Sequence, residues 1–262
     1  MSLIRLIIAG LILVGCFNVY AKVKERKLPI MRPFKLESQN RLNDMYLKNI
    51  TRKQDLAKLK EKTISMSGKA VPVLVAAMKN SKYPDRNRWM ATFLLGKVAG
   101  KQSISFIAKF LLHPNWIMRM ASLKTLLVLK AKKVGPGFAH SLQDKSMLVR
   151  VQALENIRKL KLGEFGPHVW AMLYDKKNYY KSKKIYKRMN IIKKVIRTIG
   201  ELRLPKAKKA LMKMVKDRKY NDIFDDMDYS LTLLTGKKSP DGERGIKRIF
   251  WNRIALGDTV IR

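Results

Sequence analysis

The sequence predicts an all-α protein built as a stack of about five two-helix hairpins, an α-solenoid, and three observations predict it. Arginines at positions 88, 119 and 150 recur every 31 residues; each opens a helix with a small residue three positions on (Ala91, Ser122, Ala153) and an apolar one at seven (Leu95, Leu126, Ile157). Ahead of each lies a short apolar segment at helical spacing, over 71–78, 104–112 and 138–142. The chain is rich in Lys and Met, which favour helix, and holds no alternating apolar–polar run of convincing length. A fixed period of this size marks a repeat architecture. One hairpin of short helices cannot bury its apolar face alone, whereas stacked neighbours share a continuous core. Leu95, Leu126 and Ile157 are therefore expected in equivalent core layers.

Residues 1–21 read as an export signal. One positive charge at Arg5 precedes an apolar run over 6–14, too short for a membrane span of about 20 residues and suited to the hydrophobic core of a secretory signal. Two processing sites compete. Leu13-Val14-Gly15-Cys16 resembles a bacterial lipobox, which implies cleavage before Cys16 and lipidation of that residue, the only cysteine in the chain. Val19-Tyr20-Ala21 resembles a small-x-small signal-peptidase site, which would release a soluble protein starting at Lys22. An uncleaved anchor is the third outcome. All three place the body outside the cytoplasm, in the periplasm or as a membrane-anchored lipoprotein.

Residues 22–37 carry Pro29 and Pro33 with no clear period and read as a linker. Residues 38–69 read as N-terminal capping helices, with Leu42, Met45, Tyr46 and Ile50 on one face and Leu56, Leu59 and Ile64 as a second apolar set. The repeats fill 70–238, and 239–262 form a C-terminal cap or tail.

The stretch Asp144-Lys-Ser-Met-Leu-Val149-Arg150 resembles the HEAT repeat in its short bacterial form. His113-Pro-Asn-Trp-Ile-Met118-Arg119 matches it with His for Asp, Leu95-Gly96-Lys97 supplies the Leu-Gly-Lys end of a unit, and Pro72, Pro136 and Pro167 sit where the family starts its first helix. Proline is tolerated in a first turn, where its missing N–H would have no partner anyway. Weaker units start at Phe165-Gly166-Pro167, followed by an enlarged loop over 176–184, and near Pro205, ending at Leu234-Thr235-Gly236-Lys237. The resemblance implies a right-handed α-α superhelix but says little of the role, since this fold hosts many functions; no cofactor is expected. It also implies that Arg88, Arg119 and Arg150 are structural, bonding to neighbouring backbone and Asp groups as a ladder.

Charge is the second strong signal: 57 Lys and Arg stand against 19 Asp and Glu, a net +38. Such a chain attracts anions, and the charge also solubilises exposed helix faces. The stretch 176–219 concentrates it, with 18 Lys and Arg, two acids and the interleaved Tyr179, Tyr180 and Tyr186. Lysine with aromatics is the chemistry of a polyanion surface, although ordinary basic helix faces with core tyrosines would read the same. The candidate anion-binding residues are Lys176, Lys177, Lys181, Lys183, Lys184, Lys187, Arg188, Lys193, Lys194 and Arg197. The partner expected is a protein or an anionic polymer or lipid surface, with membrane attachment through a lipid on Cys16; nucleic acid ranks behind these because an export signal argues against a genomic substrate.

Other constellations are weaker. Asp222, Asp225, Asp226 and Asp228 lack the EF-hand spacing; helix-dipole complementation and pairing with lysines explain them more simply than a metal. Trp89, Trp116, Trp170 and Trp251 fall near repeat junctions and suit packing, with Trp116, read as a loop residue, the most exposed. The three His, at 113, 140 and 168, show no metal-ligand spacing, and one Cys excludes both an intramolecular disulfide and a Cys-metal cluster. No nucleophile elbow, phosphate loop or zinc-protease motif occurs, so the chain is expected to be a binding scaffold and not an enzyme. The closest enzymatic alternative is a HEAT-like DNA glycosylase with a misread N-terminus, which would need an acid beside aromatics.

Overall fold

The computed structural model describes residues 36–181 and 186–260. The expected export signal, Cys16 and the linker up to residue 35 lie outside the described residues, as do Lys183 and Lys184. Among the described residues helix dominates, and the only β-structure is one pair of three-residue strands. No described helix is long and apolar enough to cross a membrane. The chain divides into two compact units between His140 and Ser141, inside the block read as continuous repeats.

The first unit contains α1 (Leu36–Leu47), α2 (Lys53–Met66), α3 (Val71–Lys79), α4 (Asp85–Ala99), α5 (Ile104–Lys109), α6 (Trp116–Val128) and α7 (Gly135–Ser141), whose last residue opens the second unit. Pro72 stands in the first turn of α3. The side chain of Asn115 caps α6 by accepting from the Ile117 N–H at 2.9 Å. Helix α4 packs on α3 behind it and α6 ahead of it. Leu74, Met78, Leu94, Leu95, Ile107 and Leu126 form the interior, each contributing about 1.5–3 kcal/mol over an exposed side chain. Gly96 marks the α4–α6 approach: a Cβ there would stand 2.4 Å from Thr125 Cγ2.

The second unit contains α8 (Met147–Lys159), α9 (Gly166–Ala171), β1 (Tyr179–Lys181), β2 (Tyr186–Arg188), α10 (Asn190–Glu201), α11 (Ala207–Lys216), α12 (Phe224–Thr235) and α13 (Arg244–Val260). Helix α10 packs on α8, α9 and α12, while α11 packs on α12 and α13. Ile191, Ile192, Val195, Ile196 and Ile199 form its fully buried stripe. At the α10–α12 approach a Cβ on Gly200 would stand 2.6 Å from Ser230 Cα, so only glycine lets these backbones come this close. The stretch read as a tail is the long helix α13, anchored by the buried Trp251.

The 31-residue period reappears in backbone geometry. Arg88, Arg119 and Arg150 each occupy the fourth position of α4, α6 and α8, and Leu95, Leu126 and Ile157 are all buried. Helices α6, α8 and α10 end alike. Lys130, Lys161 and Arg203 take positive φ of 51°, 55° and 49°. The next amide in each case reaches back five residues, Ala131 to Leu126, Leu162 to Ile157 and Leu204 to Ile199, at 3.0, 3.0 and 3.2 Å. This is the Schellman closure, which satisfies carbonyls that a helix end leaves open.

Candidate anion-binding surface

The basic stretch folds as a short 3-10 turn over Lys176–Asn178, the β1–β2 hairpin, α10 and α11. The hairpin corrects the reading of 176–184 as an enlarged loop. It is antiparallel, pairing Tyr179 with Arg188, Tyr180 with Lys187 and Lys181 with Tyr186. Strands of three residues are too short to show alternation, and distant groups hold this pair. The Tyr179 hydroxyl donates to the Leu173 carbonyl at 2.5 Å, and burial raises its pKa above the ordinary tyrosine value. The Arg188 guanidinium lies 4.7 Å from the centre of the Tyr220 ring and donates to Asp222 at 2.9 Å and the Lys219 carbonyl at 3.2 Å.

The geometry divides the candidate cations. Arg188 and Arg197 are engaged: Arg197 donates from Nε to Asp226 Oδ1 at 2.5 Å and stacks 5.1 Å from the Tyr229 ring. The Asp226 carboxylate holds the Arg197 guanidinium above its ordinary pKa. Lys177 donates to the Gln143 carbonyl at 2.8 Å and stands 3.8 Å from Asp175. Lys176, Lys187, Lys193 and Lys194 are exposed, and no ion pair involves them among the described residues. Lys181 belongs to β1.

Helix α11 adds a feature that the ten candidate residues do not cover. It contains no acid, and Lys206, at its N-cap, with Lys209, Lys213 and Lys216 forms one exposed row at spacings of three, four and three. That spacing puts lysines on a single helix face; the signal was present in the sequence as a basic helical period.

The repeat arginines are buried or half-buried and turned toward backbone. Arg119 Nη1 donates to the carbonyls of His113 and Pro114 at 2.8 and 2.9 Å. Arg150 Nη1 makes the same pair of bonds to Asp144 and Lys145 at 2.8 and 3.1 Å. Arg150 also donates to Asn178 Oδ1 and the Lys177 carbonyl, both at 2.9 Å, so the turn ahead of the hairpin is fastened to α8. Arg88 differs, contacting Asp85 Oδ1 at 3.1 Å, the Met78 carbonyl at 3.3 Å and His113 Nε2 at 3.1 Å.

The four aspartates of 222–228 each meet a cation from another element. Asp222 meets Arg188, Asp225 meets Arg244, Asp226 meets Arg197 and Asp228 meets Lys247. Pairing was expected, but mainly with lysines nearby in sequence; three partners are arginines, which offer a fork to a carboxylate. Trp116 is the first residue of α6, not a loop residue, and is exposed, whereas Trp251 is fully buried. His140 is exposed, and both ring nitrogens of His168 are buried without a hydrogen-bond partner among the described residues.

No protein-family model matches the chain. No curated protein matches it either.

Proposed function

We propose that this chain is a non-enzymatic HEAT-like scaffold, a right-handed superhelix of helical hairpins exported to the cell envelope, that takes a protein or polyanionic partner on a basic surface. One observation carries the binding part. Lys176, Lys187, Lys193 and Lys194, with the α11 row Lys206, Lys209, Lys213 and Lys216, are exposed on one compact unit and free of ion pairs among the described residues. Cations already matched by carboxylates offer a partner little, whereas uncompensated ones attract anions over a Debye length. The recurring arginine position and Schellman ends support the repeat reading.

Binding of an acidic polymer, followed from about 50 to about 500 mM salt, tests the electrostatic part. Affinity is expected to fall linearly on a log–log plot, and a flat response removes it. A reporter fused after Lys22 tests export; retention in the cytoplasm removes that part.

A further inference from the structure

We propose that the exposed side of α13 docks on an anionic phospholipid bilayer, with the helix lying in the plane of the headgroups. The proposal goes beyond the basic-surface reading, because it adds an apolar contact on a different helix. Ile246, Ile249, Arg253 and Leu256 follow one another at spacings of three, four and three within α13, which puts them on one side of a helix. All four are exposed, Ile246 at 52%, Ile249 at 55% and Leu256 at 63%. The opposite side fastens α13 to its unit. Trp251 and Lys247 donate to Asp228, and Arg248 donates to the Val215 carbonyl at 3.3 Å. Rolling the helix to bury the stripe would break these bonds. From Ile246 to Leu256 the stripe runs about 15 Å, at about 1.5 Å of rise per residue.

The make-up of the stripe selects its occupant. Aliphatic side chains with a guanidinium among them suit the boundary between acyl chains and phosphates: Ile and Leu sink past the headgroups while Arg253 reaches a phosphate. Arg253 enters no ion pair among the described residues, and the chain as a whole, at +38, is drawn to negative lipid. A second copy fits poorly. A two-fold antiparallel contact along the stripe would set Ile246 opposite Leu256 and Ile249 opposite Arg253, with no carboxylate on the stripe to receive the guanidinium and a large positive charge on both chains. A protein partner would need a groove shaped to this ridge, whereas a fluid bilayer accepts it without one. The helix rests on the bilayer rather than crossing it: no described helix is long and apolar enough to span, and the inner side of α13 is held by its own unit.

The test uses the full chain at about 150 mM salt, with vesicles of phosphatidylcholine alone or with about one third phosphatidylglycerol. Ile249→Trp places a fluorophore on the stripe and reads this face itself. On anionic vesicles its emission should shift to the blue and be quenched by brominated acyl chains, over and above the parent's own tryptophans. Ile246→Ser with Ile249→Ser and Leu256→Ser is expected to weaken binding to the anionic vesicles about tenfold or more and to leave the affinity for inorganic polyphosphate within about twofold. All three positions are exposed, so far-UV circular dichroism melts should match across the variants. No added quenching at position 249, or equal anionic-vesicle affinity for the parent and the triple serine variant, overturns the docking face and leaves it to a protein partner. Equal affinity of the parent for the two kinds of vesicle overturns the anionic headgroup as its occupant. A parent that binds polyphosphate but no vesicle overturns this proposal alone, and one that binds none of the probes overturns the basic surface as well.

Discussion

The indole Nε1 of Trp251 donates to Asp228 Oδ1 at 2.7 Å, joining α13 to α12 in the interior of the second unit. The same oxygen accepts from the Ser239 hydroxyl at 2.7 Å, and Oδ2 takes the Lys247 ammonium at 3.1 Å. One buried carboxylate thus gathers the loop and helix that close the chain. Asp228→Ala strands these donors, a change that costs about 3–5 kcal/mol when the partner charge is buried. Lys247 keeps some solvent, so the lower end is expected. Asp228→Asn retains an acceptor and should lose less. Urea denaturation gives the energies, and hydrogen exchange should show α13 losing protection first; unchanged exchange in α13 would contradict the role.

Gly200→Ala is expected to destabilise the second unit by about 1–3 kcal/mol through overpacking. The new methyl would meet backbone, Ser230 Cα, which cannot swing aside as a side chain can. Gly163→Ala is the control: nothing lies within 4 Å of its Cβ position, and it should be neutral or mildly stabilising. Equal melting shifts for the two would sink the close-approach argument.

Lys130 and Lys161 hold left-handed backbone without being glycine. Glycine relieves the steric penalty there, offset in part by its greater freedom when unfolded. Lys130→Gly and Lys161→Gly should each stabilise by about 0.5–1 kcal/mol. A loss of stability on chemical denaturation would show that the lysine side chains contribute contacts outweighing the strain.

Burial pushes the His168 imidazole below its ordinary pKa, and its two ring nitrogens find no hydrogen-bond partner among the described residues. The unfolded ring, titrating near about 6.5, binds a proton more readily than the folded one. Its contribution to stability is therefore complete above that value, declines as pH falls from there toward the depressed folded pKa, and levels off beneath it. His113 moves the same way, from burial first and the Arg88 charge second. Urea midpoints at pH 7.5 and 5.0 should draw closer in His168→Phe than in the parent; an unchanged gap assigns the acid sensitivity elsewhere.

Much of the helical framework was legible because its causes are local and periodic. A 31-residue spacing, capping residues and proline at first turns located α3 to α8, with Arg88, Arg119 and Arg150 at one register. What escaped depends on groups far apart in sequence. The strands of the hairpin are fixed by Asp222 and Tyr220, more than thirty positions beyond Arg188, so no short window contains their cause. The candidate surface was legible as charge but not as availability. Arg197 and Lys193 look equivalent in sequence, yet α12 brings Asp226 to the first and no carboxylate to the second. Trp251, read as a packing residue, is buried, but its partner Asp228 lies 23 positions earlier, beyond any local window.

The hairpin enters the chain without disturbing the turns that flank it. Lys161 and Arg203 adopt the same left-handed corner on either side, and Asn178, just ahead of the first strand, already completes the fastening of Arg150. The ribbon is thereby spliced in at fixed ends: a change in its length or its outward residues has to keep Asn178 on Arg150 and Arg188 on Asp222.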